Sequence, residues 1–125
     1  MNGTETTTKS KNKPKAQEVW YVKFPFEEDE SKYKVRPVIV LNDPEDSNVE
    51  VACLSVKVTS KPKREDDIGD TVILKWKEAN LKKPSVARVS KTMSIPISQF
   101  ERKVGQADDE DFINILQKFV EIFDI

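Results

Sequence analysis

An arginine, Arg36, stands immediately before Pro37 and the β-branched run Val38-Ile39-Val40-Leu41. The proline biases Arg36 toward an extended conformation. The apolar run behind it is short and ends at Asn42-Asp43-Pro44, so it reads as a buried strand. A guanidinium held at the mouth of a rigid strand can meet a phosphate through two parallel hydrogen bonds. The other chemistry open to Arg36 is plainer: an ion pair with the acidic loop Glu27-Glu28-Asp29-Glu30.

The rest of the composition narrows what such an arginine can serve. The chain has no histidine and a single cysteine, Cys53, among 125 residues. Ser-His and Cys-His nucleophilic catalysis and two-histidine acid–base chemistry are therefore excluded, and a zinc site lacks its usual donors. Cys53 lies in an alternating apolar segment and is expected to be a small buried side chain. No cofactor is expected.

With 37% hydrophobic and 34% charged residues, the chain suits one domain with a modest core and a heavily charged surface. Net charge is −1, but lysines gather near the N-terminus and over Lys57 to Arg64, so a local basic face is possible. Residues 1–16 carry Lys9, Lys11, Lys13 and Lys15 among almost no apolar side chains, and are expected to form a disordered basic arm. Such an arm adds attraction for a polyanion or only solubility. Residues 17–125 are expected to form one domain. Neither a signal peptide nor a spanning segment is recognisable, so a cytoplasmic location without membrane contact is expected.

Strands are expected over Glu18 to Phe26, Val38 to Leu41, Val49 to Thr59, Thr71 to Trp76 and Ser85 to Ile95. Ser98 to Lys103 reads as a short helix with Gly105 near its end. The clearest helix follows: Asp108 is placed to cap it, acids occupy its first turn, and Phe112, Ile115, Leu116, Phe119 and Phe123 recur at helical spacing. That face must bury itself against the sheet or a second copy of the protein. Five short strands and a closing helix suggest a mainly β, strongly curved sheet or barrel.

The order of Val19-Trp20-Tyr21-Val22-Lys23-Phe24, Lys34-Val35-Arg36-Pro37-Val38-Ile39-Val40-Leu41 and Val56-Lys57-Val58-Thr59-Ser60 resembles the MazF/PemK family of bacterial toxins. The likeness continues through Asn80-Leu81-Lys82-Lys83-Pro84-Ser85-Val86, Met93-Ser94-Ile95, Lys103-Val104-Gly105 and the terminal helix, and so spans residues 18 to 123. It implies an SH3-like small β-barrel of the CcdB/MazF/PemK kind with a C-terminal helix. It also implies a homodimer that cleaves single-stranded RNA without a metal and is neutralised by a cognate antitoxin. The family's two key positions match Arg36 and Thr59. Two departures stand out: Ala16-Gln17-Glu18 replaces a glycine often found before the first strand, and Ser90-Lys91 replaces an acidic residue and a glutamine in the fifth.

In that frame Arg36 would stabilise charge developing on the phosphoryl oxygens while the RNA 2′-OH attacks the adjacent phosphate. Thr59 would bind a phosphate oxygen or hold the attacking hydroxyl. Its alternative is a strand-end threonine favoured by β propensity. Ser60 and Ser55 are weaker candidates for the same task, and no residue stands out as general base. Lys57, Lys61, Lys63 and Arg64 flank Thr59 and can track an RNA backbone, or form only a solvated charged loop. Tyr33 can stack on a base, whereas Trp20 and Trp76 sit in apolar patterns that suit a core or an interface. Two other functions remain open on this scaffold: a CcdB-like poison of a protein target such as gyrase, and a non-catalytic nucleic-acid-binding adaptor.

Overall fold

A computed structural model of the chain describes residues 13–43 and 69–123, and the backbone alone over 52–59. Six strands follow one another: β1 (Glu18–Pro25), β2 (Tyr33–Val40), β3 (Ala52–Thr59), β4 (Asp70–Ile73), β5 (Ser85–Pro96) and β6 (Phe100–Gln106). They form one antiparallel sheet in the order β4-β5-β3-β2-β1-β6, and helix α1 (Asp109–Phe123) closes the chain. The architecture is thus mainly β with a C-terminal helix.

The second half of β2 is buried on both faces. Ile39 belongs to a core with Val19, Ile73, Val89 and Ile115, against which Trp76, Phe112, Leu116 and Phe119 pack. Its neighbours Val38 and Val40 point the other way, into a second core with Trp20, Val22 and Ile95. A near-continuous β-branched run suits a strand covered on both sides, which explains why Val38-Ile39-Val40 shows no alternation. The sheet bends where the β3–β5 register breaks between Ser55 and Lys57, and β1 shifts twice against β6.

Three elements differ from the sequence reading. The segment read as a helix over Ser98 to Lys103 is a single 3-10 turn, Ile97–Gln99, followed by strand β6. The edge of β1 offers this segment a full ladder, and tertiary pairing outweighs its local helix signals. Gly105 serves that strand and not a helix end: a Cβ there would lie 2.5 Å from the Ala79 carbonyl oxygen. Second, β4 stops at Ile73, so Trp76 falls in the turn that follows. Third, residues 13–16 lie against the body: the Pro14 side chain is fully buried and the Ala16 N–H donates to Asp43 at 2.8 Å. Lys9 and Lys11 of the expected arm lie outside the described residues, as does the side chain of Cys53.

Asp108 does cap α1, accepting from the Glu110 N–H at 3.0 Å. Asp111 does more than complement the helix dipole. It is buried, and its two oxygens accept from the Leu74 and Lys75 N–H groups at 3.0 and 2.8 Å. The first turn of α1 is thereby fastened to the end of β4.

Candidate active site

Strand β2 changes character half-way. Tyr33 to Arg36 are exposed, while Val38 to Val40 are fully buried. The strand begins at Tyr33, not at Val38, so Arg36 lies within β2 and not at its mouth, as the last exposed residue before the half that is clamped in two cores. It pairs across to Val22 on β1 and, by alternation, shares the face of Val38. Its Nη1 donates to the Val35 carbonyl at 3.0 Å. Among the described residues no carboxylate pairs with it. The acidic loop is turned on itself: Asp29 accepts from the Ser31 hydroxyl at 2.6 Å and from the Ser31 N–H at 3.1 Å. Those bonds hold the Asp29 carboxyl below the usual aspartate range. Among the described residues, the Val35 carbonyl is the one partner shown for the guanidinium's five N–H donors.

Thr59 is the last residue of β3 and pairs with Val86 on β5. The β2–β3 ladder runs Val40↔Ser55, Ile39↔Val56, Val38↔Lys57. The pairing ends there, and Arg36 and Thr59 each lie two residues beyond it, on neighbouring strands. Pro37, between them and the ladder, brings no N–H to it. Lys57 occupies the position opposite Val38 on one side and Arg88 on the other. Ser60, Lys61, Lys63 and Arg64 lie outside the described residues.

Tyr33 departs from the expected grouping. It is half exposed, but lies three residues from Arg36 and so on the opposite face of β2. There the Lys23 ammonium sits 4.9 Å from its ring centroid. A base stacked on Tyr33 would not share a face with Arg36.

The structure adds groups that the sequence reading missed. Arg88 donates through Nε to Asp70 Oδ1 at 3.1 Å, with both side chains mostly buried. Burial pushes the Asp70 carboxyl upward. Asp70 is three strands from β2, about 14 Å away at ordinary strand spacing, so it does not adjoin Arg36. Gln17, in the segment that replaces the expected glycine, holds φ at 79°. Its N–H donates to Val40 at 2.7 Å, and its Nε2 donates to Ala107 at 2.8 Å and to Asp109 at 2.6 Å. Among the described residues no group of three acids, cysteines or histidines is placed to hold a metal, and no helix is long and apolar enough to cross a membrane.

The family described as PemK-like, MazF-like toxin of type II toxin-antitoxin system matches residues 15–123. The chain belongs to that family. Its fold is correspondingly that of MazF structures. MazF from Deinococcus radiodurans superposes with a TM-score of 0.66 at 15% identity, covering 90% of this chain and 98% of that one. An endoribonuclease bound to its cognate antitoxin, from a mycobacterial species, gives 0.65 at 8% identity over 90% and 96% of the two chains. The Mycobacterium tuberculosis toxin MazF-mt6 gives 0.57 at 16% identity over 85% and 97%. No curated protein sequence matches the chain. In this family member Arg36, half-way along β2, and Thr59, at the end of β3, lie on neighbouring strands.

Proposed function

We propose that the chain is a toxin that cuts single-stranded RNA without a metal, with Arg36 and Thr59 as its catalytic pair. The observation that carries this reading is Arg36 itself: exposed, without a carboxylate partner among the described residues, and fixed on a strand clamped in two cores. The RNA supplies its own nucleophile. The 2′-oxygen forms a bond to phosphorus as it loses its proton, and the bond to the 5′-oxygen breaks as that oxygen gains one. The products are a 2′,3′-cyclic phosphate and a free 5′-hydroxyl. Arg36 neutralises the charge that builds on the non-bridging oxygens, and the Thr59 hydroxyl orients one of the reacting oxygens. Lys57 would hold an adjacent phosphate, and Ser60, Lys61, Lys63 and Arg64 the strand beyond it. The working form is a cytoplasmic homodimer, restrained by a cognate antitoxin.

The test is cleavage of single-stranded RNA in EDTA, with end-group analysis for the cyclic phosphate. Arg36→Ala should lower the rate by about 10²- to 10³-fold or more, as loss of a donor to developing charge does elsewhere. Intact RNA after incubation with folded wild-type protein would rule the reading out.

A further inference from the structure

A second cationic site lies on the far edge of the sheet. Where β1 meets β6, a cleft of about 540 Å³ opens between the segment entering β1 and the edge strand. Its acids are already engaged. Glu18 accepts from the Lys15 N–H at 2.9 Å and the Trp20 indole at 2.8 Å, and pairs with Lys103 at 3.1 Å. Glu101 pairs outward with Lys23 at 3.3 Å. Three lining cations, Lys13, Lys15 and Arg102, have no carboxylate partner among the described residues. The Arg102 guanidinium lies 4.8 Å from the Tyr21 ring centroid, which fixes its plane.

The cleft is continuous with Arg36 through the ladder. Arg36 stands opposite Val22, and Val22 stands opposite Phe100, which lines the cleft. Two strand spacings, about 10 Å, separate the β2 and β6 ends of that row. A polyanion seated at Arg36 reaches the cleft within a short length of backbone. We propose that Lys13, Lys15 and Arg102 form a flanking phosphate subsite for the RNA strand. This rests on the ribonuclease reading, since the row runs to Arg36. Arg102, stacked on Tyr21 on the face away from Trp20, stands at the rim of the cleft on the edge strand. An RNA backbone fits better than an acidic peptide, because its phosphates run on from the one at Arg36, two strand spacings away.

The test uses the full chain carrying Arg36→Ala, so that RNA binds without being cut. Its affinity for a single-stranded RNA of about 12 nucleotides is measured by fluorescence anisotropy against salt. Adding Lys13→Gln, Lys15→Gln and Arg102→Gln should weaken binding tenfold or more. The slope of log affinity against log salt should become shallower by about 0.7 per lost phosphate contact, about 2 in all. Arg102→Lys should keep most of the affinity. Circular dichroism confirms folding, and Arg102→Gln alone carries the test if the triple variant unfolds. Unchanged affinity and slope in a folded variant overturns the subsite, as does a loss of binding confined to poly-glutamate. Wild-type protein that leaves RNA intact, but binds it through these three residues, would sink the ribonuclease reading and leave the subsite standing.

Discussion

Gln17 shows how a single residue can satisfy a backbone that suits glycine. At φ 79° a side chain with a Cβ is strained by about 1–2 kcal/mol. The amide of Gln17 offsets this with bonds to Ala107 and Asp109 that tie the start of β1 to the start of α1. Gln17→Ala keeps the strain and loses both bonds, each worth about 0.5–1.5 kcal/mol, and should cost about 1–3 kcal/mol in urea unfolding. Gln17→Gly loses the bonds but relieves the strain, so it should be the milder change. Equal losses would mean that the conformation carries no strain. The sequence marked this position only as a missing glycine, because neither its φ nor its distant partners leave a local pattern. The buried run behind Arg36 was legible for the opposite reason: its β-branched residues are adjacent in the chain. Asp29 makes a local, titratable test. Its depressed pKa means its Ser31 bonds favour the fold above the ordinary aspartate range, near 3.9, and are lost as pH falls. By NMR, Ser31→Ala should move the Asp29 midpoint upward.

Among the elements, α1 is fastened by a carboxylate that the sequence assigned only to the helix dipole. The buried Asp111 accepts two backbone N–H groups from the turn after β4. Asp111→Ala leaves both donors unsatisfied and should cost about 2–4 kcal/mol, from hydrogen bonds to a charged group. Asp111→Asn keeps one acceptor and should fall between. A cost below about 0.5 kcal/mol for Ala would show that water replaces the carboxylate without loss. Helix α1 was readable because its apolar period and its Asp108 cap lie within one segment. Strand β6 was not, because its pairing with β1 is set by residues some eighty positions away. Ser98 in the turn before it and its own Gly105 imitate helix punctuation, while Gly105 answers to the Ala79 backbone.

At the scale of the whole molecule, the two cores divide the labour. One joins α1 to the sheet around Ile115; the other, around Val22 and Val38, grips β2 just behind Arg36. Truncation in either should destabilise the fold, by about 2–5 kcal/mol for Ile115→Ala and about 2 kcal/mol for Val38→Ala. Their effects on RNA cleavage should differ. Val38 lies two residues from Arg36 on the same face and opposite Lys57 and Trp20, so a cavity there lets the middle of β2 shift. Misplacement of a catalytic group by about 1 Å can cost about 10²-fold in rate. Well below the unfolding temperature of both variants, Val38→Ala should lower kcat by about tenfold or more, while Ile115→Ala should leave it within about twofold. Stability and activity would then separate along the two faces of one strand. Equal losses in kcat would mean that Arg36 is positioned by the fold as a whole, and not by the core directly behind it.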